Sequence, residues 1–239
     1  MSKPNLLLIP GLLCDRRLWQ AQVEGLRHSA ECTVADVAGR NTIAGLASAA
    51  IAKMPAGPFA VAGLSMGGYV ALEVVRQAGA RVAGLALLDT TARPDSDQAT
   101  ADRRRMMTLA ETDFDRVVNA LLPKLLLPAH MRDAKIVATV KAMATTTGVA
   151  GYTRQQEAII GRIDSRPHLP PQPGFRLDIR GMGFVLGGAD EARIRQAVGW
   201  AYGTEDLLAI EPTDEQALAA YVQAIEDEGL PEVWAKKRP

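Results

Sequence analysis

The stretch from Phe59 to Ala78, FAVAGLSMGGYVALEVVRQA, constrains the fold more than any other part of the chain. Phe59 to Leu64 is short and apolar and reads as a buried strand. Tyr69 to Ala78 is apolar almost all round, is closed by Gly79, and reads as a buried helix. Between them lies GLSMGG, Gly63 to Gly68, so the chain must turn from strand to helix within about two residues. Glycines two before and two after Ser65 let the two backbones approach closely. Such a turn strains its central residue and lifts the Ser65 hydroxyl clear at the carboxyl end of the strand. Open α/β sheets bind ligands at that end. A bare G-x-S-x-G match is weak; set between a strand and a helix it is specific. The competing reading is a glycine-rich turn in which Ser65 is an ordinary helix cap.

The flanking sequence alternates in the same way. Asn5–Ile9 is an apolar run stopped by Pro10-Gly11, and Asp15 can cap a helix with Trp19, Val23 and Leu26 on one face. Cys32–Val37 is a second strand candidate. Asn41 or Thr42 caps a helix in which Ile43, Leu46, Ala47, Ala50, Ile51 and Met54 keep helical spacing. Val82–Leu88 follows as a strand ending at Asp89. The alternation predicts an α/β fold: a mainly parallel central sheet with helices on both faces and Phe59–Leu64 at its centre.

After Arg93-Pro94 the pattern changes. From about Asp95 to Ile163 the spacing is helical, with Pro123 and Pro128 as breaks and Thr153/Gln156 as a capping-box pair opening a last helix. The reading is one domain over 1–239 with a helical cap insertion at about 95–168, lying over the serine end of the sheet. A helical subdomain packed elsewhere is the alternative. Met106, Leu109, Phe114 and Leu125 are expected to wall an apolar pocket there. Arg166–Pro173 reads as the return linker. Met182–Leu186 and Leu207–Glu211 are expected as the last parallel strands, and the alternation of Phe175, Leu177 and Ile179 allows a further one.

Composition excludes several classes. Hydrophobic residues make up 48% of the chain, enough for a sizeable core. Lys and Arg number 27 and so do Asp and Glu, so no electrostatic case exists for a nucleic-acid partner. The apolar run at Leu6–Ile9 is too short for a signal peptide, and no run is long enough to span a membrane. A cytoplasmic protein with reduced Cys14 and Cys32 is expected. There is no metal-ligand cluster or dinucleotide fingerprint, and GLSMGG lacks the P-loop lysine, so no cofactor and no metal are expected.

Four segments, LLLIPGLLCDRRLW (6–19), VAGLSMGGYVALE (61–73), LALLDTTARPD (85–95) and AIIGRIDSRP (158–167), together resemble the α/β-hydrolase superfamily. The chain is most similar to small cap-bearing carboxylesterases of the pimeloyl-acyl-carrier-protein methyl ester esterase type. The resemblance covers the chain to about residue 168. It implies a serine hydrolase with Ser65 as nucleophile and the backbone N–H groups of Leu12 and Met66 as the oxyanion hole. The family's acid follows the strand after the cap in a G-x-x-D stretch, which Gly187-Gly188-Ala189-Asp190 matches. Asp190 also suits the N-cap of the next helix. Asp89 is a second acid candidate, because some members carry the acid one strand earlier. The implied partner is a small neutral or apolar ester.

The chain departs from the family at the histidine. The family sets it after the last strand, where this sequence reads Glu211-Pro212-Thr213-Asp214, and the three histidines are His28, His130 and His168. A serine hydroxyl is a poor nucleophile without a positioned base. His168, in the return linker, is the substitute base to test first; His130, His28, Glu211 and Asp214 are the others. Three readings stay open: an esterase of impaired activity, a ligand-binding protein on a hydrolase scaffold, and a gene whose altered end replaced the histidine segment.

Overall fold

A computed structural model describes residues 3–126, 128, 130–168, 177–180 and 183–186. Its strands are β1 (Asn5–Ile9), β2 (Glu31–Val34), β3 (Phe59–Leu64), β4 (Val82–Leu88), β5 (Leu177–Arg180) and β6 (Gly183–Leu186). Among the described residues they form one sheet in the order β2-β1-β3-β4-β6-β5. β1 runs parallel to β2 and to β3, and β3 runs parallel to β4. Parallel neighbours need crossovers, and the helices α1 (Gln20–Leu26), α2 (Ile43–Ile51) and α3 (Met66–Ala78) supply them. Thr42 starts α2 by accepting the Gly45 N–H. Asp15 accepts the Arg17 N–H in the 3-10 turn that leads into α1.

The strand period of two sorts the side chains between faces. Leu7 and Ile9 of β1 join Val61, Leu85 and Leu87 and the α2 and α3 residues Leu46, Val70 and Val74 in one buried cluster. Leu8 and Ala62 point the other way, to Trp19 and Val23. Helices therefore cover both faces, and β3 sits inside the sheet, as the alternation predicts. Full burial of one such aliphatic side chain is worth about 1.5–3 kcal/mol.

Three expectations are corrected. The stretch expected as a parallel strand at Met182–Leu186 belongs to a hairpin: Gly183–Leu186 pairs antiparallel with both β4 and β5. Only two residues separate β5 from β6, and parallel strands cannot be joined by so short a link. Thr153 and Gln156 do not open a helix, because they lie inside α6 (Ala134–Ile160). The break in α6 is at Gly148, whose φ of 64° a glycine adopts at little cost. Leu125 is 47% exposed and walls nothing.

α6 completes a helical segment that begins with α4 (Asp97–Thr112) and α5 (Phe114–Leu125). Ser96, Asp113 and Asp133 cap the three helices. Tyr152 packs with Ala110, Val117, Val118 and Ala144, and its ring lies 5.9 Å from that of Phe114 at 59°. Among the described residues no helix is long and apolar enough to cross a membrane. Leu207–Glu211, Asp190 and Asp214 lie outside the described residues.

Candidate functional site

Backbone strain gathers at one end of the sheet. Among the described residues the non-glycine positions with positive φ are Leu13 (59°), Ser65 (53°) and Asp89 (44°). They follow the carboxyl ends of β1, β3 and β4, three adjacent strands. Left-handed backbone is costly for a residue with a Cβ, and it clusters where a fold holds functional groups.

Ser65 is the centre of this group. At φ 53° and ψ −115° it makes the whole turn from β3 to α3. Its N–H donates to the Leu88 carbonyl at 2.9 Å, continuing the β3–β4 pairing. Its carbonyl accepts the Gly68 N–H at 2.9 Å and the Thr90 hydroxyl at 2.7 Å. Every backbone group of the strained residue is thus held. The glycines are required by space. A Cβ on Gly63 would lie 2.2 Å from the Gly67 carbonyl oxygen, and one on Gly67 would lie 2.1 Å from that of Ile9. One on Gly68 would meet the Thr90 hydroxyl at 2.4 Å. Ser65 is half-buried, and its own hydroxyl makes no hydrogen bond to a described residue.

The loop after β1 passes beside it. A Cβ placed on Gly11 would stand 3.5 Å from the Ser65 Cβ. The loop turns back through a bond from the Cys14 N–H to the Gly11 carbonyl at 3.1 Å. Leu13 donates its N–H to Gln155 Oε1 at 3.0 Å. Neither Leu12 nor Met66 donates its N–H to a described residue. Met66 opens α3, where the first N–H groups lack helical partners. Cys14, on the same loop, is no rival nucleophile: burial, then the Asp15 charge, pushes its thiol up to about 11.

The helical segment rests on this loop. Leu13 is buried in the Tyr152 cluster, and Leu12 touches both that cluster and the sheet core. Met106, Leu109 and Phe114 pack against the same cluster, so apolar side chains of the helical segment meet the loop that flanks Ser65. A partly buried ion cluster ties the segment's ends together. Asp95 meets Arg103 at 2.6 Å and Arg162 at 2.7 Å, and Arg162 also lies over the Tyr69 ring at 4.3 Å. Burial alone would raise the Asp95 carboxyl, but bonds from Arg103 and Arg162 outweigh it and hold the pKa below its usual value.

All three imidazoles are exposed, and none hydrogen-bonds Ser65. His28 accepts from Arg27 Nε, and His130 lies in the 3-10 turn before α6. His168 lies in the 3-10 turn Arg166–His168. Burial would raise the Glu73 carboxyl, but bonds from Arg76 and Gln77 outweigh it and hold its pKa below the usual value. Glu73 is two helical turns along α3 from Ser65, about 12 Å at 1.5 Å per residue. Asp89 is exposed and sits one residue beyond the carbonyl that holds the Ser65 N–H. A crevice of about 250 Å³ lies between Tyr69 and Glu73 of α3, the start of α2 at Thr42 and Ile43, and the segments at Thr91 and Arg162. Its Glu73 and Arg76 are paired with each other at 2.6 Å, which leaves little charge for chemistry. Among the described residues no group of His, Cys, Asp and Glu could hold a metal.

Thr90, Leu13 and Gln155 were not singled out from the sequence. A pair of adjacent glutamines at helical spacing from the apolar Tyr152 and Ile159, Gln155-Gln156, is the available signal. Both are buried, and both bond to other segments or turns.

The thioesterase-domain family model matches residues 28–169, more than half of the chain. No curated protein sequence matches. Among solved structures, a thermophilic esterase from Thermogutta terrifontis is 28% identical, with a TM-score of 0.63 over 71% of this chain and 68% of that one. The enol-lactonase from Burkholderia xenovorans LB400 is 20% identical, with a TM-score of 0.64 over 95% and 91%. MenH from S. aureus is 16% identical, with a TM-score of 0.58 over 71% and 72%. The last two likenesses carry the fold alone, which is that of the α/β-hydrolases.

Proposed function

The chain belongs to the thioesterase-domain family, and on that premise we propose that it is a serine hydrolase of small carboxylic esters with weak turnover. The observation that carries the reading is the backbone of Ser65, strained at φ 53° and held through both its N–H and its carbonyl. A turn held in this way fixes the Ser65 side chain at the carboxyl end of β3.

In the proposed reaction the Ser65 Oγ attacks the acyl carbonyl carbon and gives its proton to a base. The oxyanion that forms takes hydrogen bonds from the Leu12 and Met66 N–H groups, whose lack of other partners supports this role. Collapse of the tetrahedral species expels the alcohol or thiol and leaves an acyl-Ser65, which water then cleaves. Preorganised N–H donors of this kind are commonly the largest single catalytic contribution. The helices over the Leu12–Leu13 loop act as a cap, and their apolar faces favour small neutral or apolar acyl groups.

His168 is carried forward as base and Asp190 as its acid. Turnover is expected to be weak because the family's histidine position reads Glu211-Pro212-Thr213-Asp214 here and no imidazole is bonded to Ser65. Loss of the base from a serine triad costs on the order of 10⁶ in turnover in a well-studied protease, and roughly 10³–10⁴ over water survives from the hole and binding. The absence of a bonded imidazole at Ser65 also favours a second reading, a ligand-binding protein on the same scaffold.

Hydrolysis of short-chain p-nitrophenyl esters separates the two. Turnover abolished by Ser65→Ala supports the hydrolase, and loss in His168→Ala as well identifies the base. Turnover unchanged by Ser65→Ala leaves the binding reading.

A further inference from the structure

Gln155 lies fully buried on the second half of α6 and joins two loops of the sheet. Its Oε1 accepts the Leu13 N–H at 3.0 Å and its Nε2 donates to the Val37 carbonyl at 3.3 Å. Arg154, one residue before, donates to the Ala38 carbonyl at 2.8 Å. The loop after β1 is therefore pinned from the helical segment at the one residue, Leu13, whose backbone is left-handed. Leu13 is also the residue next to Leu12.

Other ways of satisfying the Leu13 N–H are poor. Leu13 is 3% exposed, so water cannot replace the glutamine readily, and a buried N–H without a partner is costly. A relaxed Leu13 would give up its left-handed φ, and the short turn closed by the Cys14 N–H to Gly11 carbonyl bond, which contains Leu12, would have to readjust with it.

We propose that Gln155 is the positioning residue of the oxyanion hole: it holds Leu13 so that the Leu12 N–H stays unbonded beside Ser65. The catalytic group is then completed by a side chain of the cap, and cap docking and hole formation are one event. This proposal rests on the Ser65 reading above.

The test uses the full chain and the variants Gln155→Met, Gln155→Glu and Gln156→Met. Methionine keeps the shape and loses both bonds. Glutamate keeps the acceptor for Leu13. Gln156 is also buried but bonds Tyr152 and Arg103 and neither donates to nor accepts from the loop backbone, so it is the control for loss of a buried amide. Two readouts are taken: amide exchange of residues 11–14, and kcat and KM for a p-nitrophenyl ester. The loss of one oxyanion donor costs about 10²–10³ in kcat, and a displaced donor is expected to cost at least about tenfold.

Gln155→Met is expected to speed exchange at residues 11–14 at least about tenfold and to lower kcat by a similar factor or more, with KM within about twofold. Gln155→Glu should recover most of the kcat, and Gln156→Met should change neither readout. Unchanged exchange at residues 11–14 in Gln155→Met overturns the proposal. Faster exchange with unchanged Ser65-dependent kcat also overturns it, leaving a structural tie only. An equal fall in kcat for Gln156→Met overturns it as well. Failure of the Ser65 reading is seen separately: turnover of the unmodified chain then survives Ser65→Ala, and this proposal falls with it whatever Gln155 does to exchange.

Discussion

Thr90 donates its hydroxyl to the Ser65 carbonyl at 2.7 Å and fills the space that a side chain on Gly68 would need. Thr90, two residues past β4, thus holds the residue after β3 in its left-handed conformation, and the third glycine of the turn leaves room for it. Removal of the hydroxyl should loosen Ser65 without leaving its carbonyl bare, since the Gly68 N–H bond remains.

Thr90→Val is therefore expected to cost about 1 kcal/mol of stability. Its effect on Ser65-dependent turnover should be larger than its effect on substrate binding, with kcat lowered and KM little changed. A urea midpoint and steady-state kinetics check both halves.

Gly67→Ala is the severe change. Its new methyl carbon would lie 2.1 Å from the Ile9 carbonyl oxygen and 2.7 Å from that of Pro10, both fixed backbone. The loss should exceed about 3 kcal/mol, at the upper end of what overpacking costs. Gly25→Ala is the counterpart, because a Cβ on this α1 residue meets nothing within 4 Å. It should stabilise by about 0.4–1 kcal/mol. Denaturant melts of the two variants should move in opposite directions.

Asp95 links the entry and exit of the helical segment through Arg103 and Arg162. Its folded-state pKa lies below the ordinary value of 3.8, so its ion pairs contribute fully above that value. The contribution is lost as pH falls through the lower folded pKa. Asp95→Asn leaves two partly buried cations short of a carboxylate and should cost about 1.5–3 kcal/mol near neutral pH. The gap between the variant and the unmodified chain should begin to narrow as pH falls below 3.8 and close only below the lower folded pKa. Thermal melts from pH 7 to pH 3 measure this.

Much of the sheet could be read from the sequence because its signals are local. Phe59–Leu64 and Val82–Leu88 are apolar runs with clear ends, and the structure has the same bounds. Thr42 was one of two possible caps for α2 and is the one used. The hairpin of β5 and β6 was less legible, because two glycines interrupt the run and pairing direction is set by distant partners. Around Ser65 the glycine spacing pointed to the turn. It could not reveal Thr90 or Gln155, which act through contacts 25 and 142 residues apart along the chain. A polar side chain that serves a distant loop has no periodicity to betray it.

The central claim is that Ser65 is the nucleophile, and covalent labelling tests it most directly. The chain is incubated with a small alkyl fluorophosphonate and its intact mass and labelled peptide are measured, with Ser65→Ala alongside. The account predicts one adduct per chain, on Ser65, forming slowly because no imidazole is bonded to its hydroxyl, and none in Ser65→Ala. An unlabelled Ser65, with ester hydrolysis that persists in Ser65→Ala, would contradict it.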